Sequence, residues 1–507
     1  MSIPSSKSRV VYVYLTVLLT GCLLYGISCA PGSLWQDSGL IQYRVWHGDV
    51  RGFLGLAIAH PLYYLIAMGA KHLPIGEFGH RVNLLSALAG AVALANLYLL
   101  VRLWVGREFP AIMAALTLAV SHTFWRHASI AETYTLWAAL FLGELTVLLR
   151  YNRSGRIAYV YALGLLNGLA IAVHMLASIP LICYGVLLVI LVAGKRIRPV
   201  QAVCAALLWT AGAAPYGYLI VAEIIQSGDL PGTLASAAFG ERWQNAVLNA
   251  GVSWGMVKEN VLYLVLNFPT PNALLFFVGC AALCRKGAGG LFRLIMMVLM
   301  MLFFVFAFRY TVSDRYAFFI PFYVVASAVI GLGADWLQQR VHHRALVCLI
   351  GLSALLPVAV YAVAPALAER CDLSIGTRGD IAHRDDHAFF LQPWKTGYRG
   401  AELFAREVLK AVPPEAVIYA DTTTVAPLLY MQEVEGVRPD VKIVTGLVRS
   451  AGAPLYGEAA LAESVVRCPV YVTSPRPGYC PPFILEKYDL LQCGLLWRVV
   501  QPSLAAG

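Results

Sequence analysis

Residues that could support acid–base chemistry and anion binding recur just outside the apolar segments of this chain. Asp37 follows the first apolar segment directly and lies beside Trp35 and the small residues Ser38 and Gly39. A carboxylate next to an aromatic ring, with small residues that leave room for a substrate, can act as a general base. An Asp beside Ser and Gly also suits a helix N-cap, so the local pattern leaves both roles open. Comparable positions later in the chain hold further ionisable and aromatic residues: His60, His122, Trp125, Arg126, His127, Glu132, Tyr134, His174, Arg242, Arg309, Asp314 and Arg315. They form a candidate site if the apolar segments bring them to the same side of the membrane.

The composition predicts an α-helical polytopic membrane protein. Of the 507 residues, 59% are hydrophobic and 13% are charged, and the mean hydropathy is +0.69, whereas a soluble protein carries about 25% charged residues. Apolar runs of about 20 residues, the length that crosses the hydrocarbon core as a helix, recur from residue 10 to residue 365. We therefore expect a transmembrane domain at residues 1–365 and a soluble domain at residues 366–507.

Basic residues in short loops determine the expected orientation. Lys and Arg cluster in alternate loops, as at residues 150–156, 195–198 and 285–293, and this bias marks loops on the cytoplasmic side. The N-terminus then lies in the cytoplasm and the soluble domain is extracytoplasmic, with the bacterial inner membrane as the expected location. Residues 366–507 carry slightly more acidic than basic side chains, so the formal net charge of +10 belongs to the membrane half. We therefore expect contacts with membrane lipids and exclude a nucleic-acid partner.

About eleven spans satisfy this orientation. The apolar stretch 54–73 is also long enough to cross, but counting it would invert the side of every later loop. His60 and Pro61 near its start and Pro74 after it favour short helices at the outer interface, within a long first outer loop of residues 29–80. The predicted spans cover residues 10–28, 82–104, 109–122, 131–150, 157–174, 176–194, 200–224, 259–283, 291–308, 316–337 and 345–365.

The soluble domain is predicted to be a small α/β domain. A strand-like segment at residues 417–420, a helical stretch at 425–432 and a second strand at 441–444 indicate a βαβ unit. Further strands are expected at residues 470–473 and 495–500. Asp421 ends the first strand, a common position for functional residues in open sheets, but its Asp-Thr-Thr-Thr context also suits a helix cap, which we favour.

The cysteine and histidine patterns predict no metal site, because none has the spacing of zinc ligands. Among the cysteines outside the spans, Cys468 and Cys480 bracket a proline-rich loop and are the favoured disulfide pair. The sequence alone leaves other pairings open.

Several motifs occur in an order that resembles the protein O-mannosyltransferase-like family of multispan proteins. The N-terminal motifs are WQDSG at residues 35–39, AHPLYY at 59–64, RVNLLSAL at 81–88 and TFWRHASIAETYTL at 123–136. The later ones are GLAIAVH at residues 168–174, the turn at 310–321 and LYMQEVEGVRPDV at 429–441. The resemblance covers most of the chain, and the ordered set is more specific than any single motif.

The resemblance implies the C-type glycosyltransferase fold and an enzyme that takes a sugar from a polyprenyl-phosphate carrier at the outer membrane face. The acceptor would be a hydroxyl of a protein, a lipid or a glycan, and the family suggests mannose. The catalytic base of the family maps onto Asp37, and a single displacement would invert the anomeric configuration. The lipid-linked sugar is a co-substrate, so no cofactor is expected. Leu40 stands where the family motif has Glu, which puts a two-carboxylate scheme within this loop in doubt.

The other site residues are expected to bind substrate. A departing lipid phosphate needs positive charge and hydrogen-bond donors, and four arginines are the candidates: Arg126, Arg242, Arg309 and Arg315. The remaining residues would shape the pocket or bind sugar hydroxyls: His60, Tyr63, Trp125, Glu132, Tyr134 and Asp314. Structural roles stay open, because the aromatic residues fit an interfacial belt, the arginines fit lipid-headgroup anchors, and Asp314 with Arg315 fits a local ion pair.

A transporter or flippase of lipid-linked glycans is the alternative function, because polar groups among many helices also suit a translocation path. The ionisable residues concentrate at one membrane face and the sequence has no evident repeated half, and both features favour an enzyme. A non-catalytic scaffold for envelope polysaccharide assembly is a third possible function. It requires that the outer cluster of ionisable residues has no catalytic role.

Overall fold

The computed structural model of this chain describes residues 6–240, 243–285, 290–340, 344–376, 378–379, 381–448 and 452–502. Most of these residues are helical. The α-helices are α1 (Ser6–Ser28), α2 (Gln36–His47), α3 (Pro61–Ala67), α4 (Phe78–Val105), α5 (Glu108–Ala119), α6 (His122–Ala128), α7 (Tyr134–Ser154), α8 (Ala158–Val173), α9 (Ser178–Ala193), α10 (Pro199–Gly212), α11 (Ala214–Ser227), α12 (Leu230–Phe239), α13 (Gln244–Leu248), α14 (Trp254–Asn267), α15 (Leu275–Leu283), α16 (Gly290–Arg309), α17 (Ile320–Gln338), α18 (Arg344–Ser353), α19 (Leu356–Arg370), α20 (Asp386–Leu391), α21 (Gly400–Ala411), α22 (Val425–Leu429), α23 (Glu458–Arg467) and α24 (Pro482–Lys487). The strands are β1 (Val417–Tyr419), β2 (Lys442–Val444), β3 (Val470–Val472), β4 (Asp489–Cys493) and β5 (Leu496–Val500).

Within the described residues, six helical segments are long and apolar enough to cross a membrane, and two bent helix pairs bring the number to as many as eight. The bent pairs are α10 with α11, at 73°, and α14 with the segment that ends in α15, at 113°. Helical residues overlap each of the eleven predicted spans, but α5 and α8 are shorter than a membrane crossing requires. The predicted number of eleven spans is therefore not confirmed.

Small residues allow the long helices to pack closely. A Cβ added at Gly21 in α1 would lie 3.0 Å from the backbone of Ala91 in α4, and one at Gly90 would lie 3.0 Å from the ring of Tyr25. Close approach at small residues is the usual way in which membrane helices gain van der Waals contact. Helix α4 thereby joins α1 at the centre of the helical region.

The first outer loop folds into α2, α3 and short 3-10 turns rather than a span. Residues Leu56–Ile58 and Met68–His72 form the turns on either side of α3. Helix α2 also packs against α22, where a Cβ added at Gly39 would lie 2.6 Å from the Cβ of Ala426 and 2.1 Å from the carbonyl oxygen of Leu34. Only a glycine fits this contact, which joins the first outer loop to the C-terminal sheet region.

The C-terminal region contains a five-stranded sheet of order β2-β1-β3-β5-β4. Strand β1 pairs in parallel with β2 and β3, while β5 pairs antiparallel with β3 and β4. Helix α22 connects β1 to β2, as expected for the predicted βαβ unit. Strand β4 is mostly exposed, and the sequence analysis did not predict it.

All eleven cysteines are unpaired in this structure, so the favoured disulfide pair is wrong. The Cys468 thiol lies 3.4 Å from the carbonyl oxygen of Ser464, within its own helical turn. Cys480 instead packs into the buried core beneath the sheet. Proximity in the sequence therefore does not bring the two sulfur atoms into a bond.

Candidate active site

A cavity of about 250 Å³ lies where the first outer loop meets the turns that precede α7 and follow α16. Three carboxylates from distant parts of the sequence line it. Asp37 comes from the first turn of α2, Glu132 from the turn before α7, and Asp314 from the turn after α16. Tertiary folding thus assembles an acidic group that no single sequence motif contains.

Asp37 is the most available of the three acids. Its side chain is exposed to the cavity, and no described residue donates a hydrogen bond to it. It occupies the first turn of α2, whose N-cap is Trp35, so its carboxylate benefits from the helix dipole without serving as the cap. Surrounding protein removes much of its bulk hydration, and this desolvation raises the pKa of the Asp37 carboxyl.

Glu132 is held by hydrogen bonds on both its side chain and its backbone. The Ser38 hydroxyl donates to Glu132 Oε1 at 3.2 Å, and Ser86 Oγ exchanges hydrogen bonds of 2.9 Å with the Glu132 N–H and C=O groups. Burial first, and then the negative charges of Asp37 and Asp314, raise the pKa of Glu132 well above its usual range. Glu132 is therefore fixed in position two residues before the start of α7 and is suited to binding a hydroxyl as a protonated or shared carboxyl.

Asp314 completes the acidic group. Burial raises its pKa to about 7, and the nearby charge of Asp37 adds to the effect. Two carboxylates at close quarters disfavour simultaneous ionisation, so their titrations belong to the pair. The expected local pair between Asp314 and Arg315 does not form, because Arg315 makes its ion pair with Glu259.

Aromatic and imidazole rings form one side of the cavity. His60 and His174 stack with their centroids 4.8 Å apart, and Tyr134 lies 5.0 Å from His174. All three line the cavity. His174 was grouped with the outer residues in the sequence but received no role, although its position at the end of α8 was the available signal.

The arginines predicted to bind phosphate use their donors on protein groups. Arg126 Nη1 donates to the carbonyl oxygen of Phe389 at 2.9 Å. Arg309 Nη1 donates to the carbonyl oxygen of Val247 at 2.7 Å, and Arg315 pairs with Glu259. None of these three arginines lines the cavity. Their role in phosphate binding stays a prediction, and the observed contacts show that they hold neighbouring segments together.

Of the remaining predicted residues, Tyr63 and Trp125 do not line the cavity. Tyr63 is fully buried, with its hydroxyl 3.3 Å from Ser86 Oγ, so it supports the residue that holds Glu132. The Trp125 indole donates to Ser28 Oγ at 2.9 Å and does not line the cavity. Arg242 lies outside the described residues.

Arg44 is the cavity-lining cation that the sequence analysis left without a role. It follows Asp37 by seven residues, two turns along the same face of α2, a spacing that could have identified it. Its guanidinium donates to the Tyr64 hydroxyl at 2.8 Å and to the Val50 carbonyl at 3.1 Å. Among the described lining residues, Arg44 is the only Arg or Lys.

Comparisons with solved structures identify the class of fold. ArnT from Cupriavidus metallidurans bound to undecaprenyl phosphate aligns with a TM-score of 0.61 at 12% identity, covering 98% of each chain. The apo form of the same protein aligns with a TM-score of 0.62 at 14% identity, again over 98% of each chain. The chain is an integral membrane protein with the C-type glycosyltransferase fold, as the sequence predicted.

The sequence resemblance is confirmed over part of the chain. Residues 55–197 match the family described as the protein O-mannosyl-transferase TMEM260 N-terminal domain, which includes Glu132 and Tyr134 but neither Asp37 nor Asp314. Protein O-mannosyl-transferase TMEM260 from Mus musculus is 30% identical over 186 residues. That match covers 34% of this chain and 26% of the mouse protein. The similarity is thus to an O-mannosyltransferase-like protein of the C-type glycosyltransferase class.

Proposed function

We propose that this protein is a membrane glycosyltransferase that moves a sugar from a polyprenyl-phosphate carrier to an acceptor hydroxyl. The observation that carries the proposal is the Asp37 carboxylate, which is exposed to a cavity and accepts no hydrogen bond from a described residue. A carboxylate whose lone pairs are not used by protein donors is open to a substrate. An acid left available inside a C-type glycosyltransferase fold is suited to binding and deprotonating a substrate.

The proposed reaction is a single displacement at the anomeric carbon. The Asp37 carboxylate accepts the proton of the acceptor hydroxyl while the hydroxyl oxygen forms a bond to that carbon. The bond between the anomeric carbon and the phosphate oxygen breaks, and its electron pair leaves with the lipid phosphate. Attack and departure on opposite faces invert the anomeric configuration. A carboxyl with a raised pKa is a stronger base for this step than an ordinary aspartate.

Positive charge for the departing phosphate is assigned to Arg44. Its guanidinium lies on the same face of α2 as Asp37 and lines the same cavity. Asp49 lies 3.5 Å from Arg44 Nε, which leaves the guanidinium oriented by protein groups before a ligand arrives. Such preorganised donors stabilise developing negative charge most effectively away from bulk water. The phosphate-binding role of Arg242, which lies outside the described residues, stays a prediction.

The apolar part of the cavity supports a lipid-linked donor. Several of its lining side chains are large and apolar: Phe53, Leu54, Ile179, Phe306 and Phe318. An isoprenoid chain gains from leaving water along such a surface, while the carboxylates and Arg44 meet the sugar phosphate. The basic loops at residues 150–156 and 195–198 lie at or just after the ends of α7 and α9, away from the helix starts that lie near the cavity. This placement supports an extracytoplasmic site and an extracytoplasmic C-terminal region. The bacterial inner membrane stays the predicted location.

The direct test uses purified full-length protein and a panel of polyprenyl-phosphate sugars, including mannose. We expect one carrier to be consumed with release of polyprenyl phosphate when a hydroxyl acceptor mixture from the envelope is present. Asp37→Asn should abolish the release while retaining donor binding. Consumption of no carrier, or equal consumption by the Asp37→Asn variant, contradicts the proposal. Movement of the lipid-linked sugar across a vesicle membrane without its consumption would instead support the transporter.

A further inference from the structure

Two stacked histidines in the cavity have ring-nitrogen roles that the backbone determines. His60 begins α3, and His174 follows α8, so they come from different parts of the fold. Their rings are 4.8 Å apart with an interplanar angle of 29°, and both line the cavity that contains Asp37. The following inference rests on the proposed function and concerns how the same site recognises its sugar.

The first ring is fixed as a hydrogen-bond acceptor toward the cavity. His60 Nδ1 lies 2.8 Å from the carbonyl oxygen of Val173. A carbonyl can only accept, so Nδ1 carries the hydrogen, and in the neutral ring Nε2 keeps its lone pair. Burial, together with the positive charge of Arg44, lowers the pKa of His60 to about 4, so the ring is neutral at pH 7.

The ring nitrogens of His174 have the opposite donor and acceptor roles. The backbone N–H of Leu176 donates to His174 Nδ1 at 3.1 Å. Because an N–H can only donate, Nδ1 holds the lone pair and Nε2 of the neutral ring carries the hydrogen. The stacked pair therefore offers one acceptor and one donor, both at Nε2.

Both Nε2 atoms are available to a ligand. Neither makes a hydrogen bond to a described residue, and neither is among the described side-chain atoms that are enclosed without a partner, unlike Nε2 of His122. They are therefore reached from the cavity rather than sealed in the protein. A ring nitrogen that faces a cavity and bonds to no protein group is open to a ligand, and a bound hydroxyl would satisfy each of these two.

The backbone at His60 is held in a costly conformation. Its φ angle of 52° lies in the left-handed region, which a residue with a Cβ seldom adopts. The next residue, Pro61, starts α3. Unfavourable backbone conformations of this kind concentrate at binding sites, where surrounding structure imposes them. In this conformation the His60 ring stacks on His174 and places Nδ1 at the Val173 carbonyl.

We propose that His60 and His174 bind hydroxyl groups of the transferred sugar, with His60 Nε2 accepting and His174 Nε2 donating. A hydroxyl both donates and accepts, so a pair of neighbouring sugar hydroxyls matches the two rings. The ring of Tyr134, 5.0 Å from His174, supplies an apolar surface for the sugar carbons. The ligand class is a neutral sugar ring with unmodified adjacent hydroxyls.

The test measures transfer of the hexose that the wild-type protein consumes, together with its monodeoxy forms, each as the polyprenyl-phosphate donor. We expect the wild type to use at least one monodeoxy form about tenfold less efficiently, which corresponds to one lost hydrogen bond. His60→Phe and His174→Phe should lower kcat/KM for the parent sugar by a similar factor and should no longer discriminate against that deoxy form. Thermal unfolding of each variant confirms that it is folded.

His80→Phe is the matched control. His80 also bonds through Nδ1 to a carbonyl, that of Ala30 at 3.0 Å, but it does not line the cavity. This variant should keep the wild-type discrimination. Equal use of all monodeoxy forms by the active wild-type protein overturns the inference, as does discrimination that persists in both histidine variants. Failure of the wild type to consume any donor would instead overturn the proposed function.

Discussion

Two aspartates show how the helical region and the C-terminal sheet use the same side chain differently. Asp37 begins a helix in the first outer loop, and Asp421 follows a strand at the sheet. Asp421 accepts hydrogen bonds from the Thr423 N–H at 2.7 Å and the Thr473 hydroxyl at 2.7 Å, and it forms a buried ion pair with Arg378. Asp37 accepts none from the described residues.

The difference separates a functional acid from a structural one. Both residues occupy positions where catalytic groups are common, so position alone does not distinguish them. The number of hydrogen bonds that the protein donates to each acid distinguishes them. An acid whose lone pairs all accept protein hydrogen bonds cannot accept one from a substrate. The contrast supports Asp37 as the base. Asp421 has a structural role, but the N-cap of α22 is Thr424 rather than the predicted Asp421.

The largest expected effect comes from Asp37→Asn. Loss of a general base lowers the rate of a chemical step by about 10²- to 10⁴-fold, and we expect the rate of sugar transfer to fall within that range. The unfolding temperature should stay unchanged, because the substitution removes no protein hydrogen bond. Transfer assays and thermal unfolding of the purified protein check both parts.

Asp421→Asn should give the reverse result. Arg378 would be left buried without its counter-charge, and breaking a buried ion pair in this way costs about 3–5 kcal/mol of stability. We expect a clearly lower unfolding temperature, with the rate of transfer per folded molecule nearly unchanged. A loss of transfer without a loss of stability would show that Asp421 acts in the reaction and would remove the contrast with Asp37.

Asp314→Asn should change the pH dependence of the reaction. Asp37 works as a base only when ionised, and its raised pKa means that activity is lost with falling pH earlier than for an ordinary aspartate, whose pKa is about 3.9. The two carboxyls disfavour simultaneous ionisation, so removing the ionisable group at position 314 should ease the ionisation of Asp37 and move the acid limb of the kcat profile to lower pH. A profile that does not move would show that the two carboxyls are independent.

The smallest effect is expected from Ser38→Ala. The variant removes the 3.2 Å hydrogen bond to Glu132, and such a bond contributes about 1 kcal/mol, so transfer should fall about fivefold. Ser154→Ala is the control, because the Ser154 hydroxyl bonds only to backbone groups at the exposed end of α7, the Arg150 carbonyl and the Arg156 N–H. Equal rates for both variants would show that Glu132 does not depend on Ser38.

The membrane region was predictable because hydropathy alone locates apolar helices. The number of crossings was not, since α5 is too short to cross and α14 meets the following helix at 113°. Length and bending depend on packing that a hydropathy pattern does not contain. Strand β4 was missed because its exposed residues lack the alternation of a half-buried strand.

The site was predictable only in part, for similar reasons. Asp37 was recognisable from its motif, but the cavity that it shares with Asp314 joins residues that are far apart in the sequence. Arg126 looked free to bind phosphate, yet it donates to the carbonyl of Phe389 in the C-terminal region. The sequence does not show which backbone carbonyl a side chain will bond to. The seven-residue spacing of Arg44 from Asp37, in contrast, was visible in the sequence and was overlooked.

The glycine contact between α2 and α22 has a consequence for how such enzymes can be rebuilt. The Gln36 N–H also donates to the Thr423 carbonyl at 3.4 Å, next to the acid that we assign as the base. The C-terminal sheet region therefore helps to orient this acid. A chimaera that exchanges the sheet for that of a relative would inherit a misaligned base unless the surface around Ala426 is transferred with it.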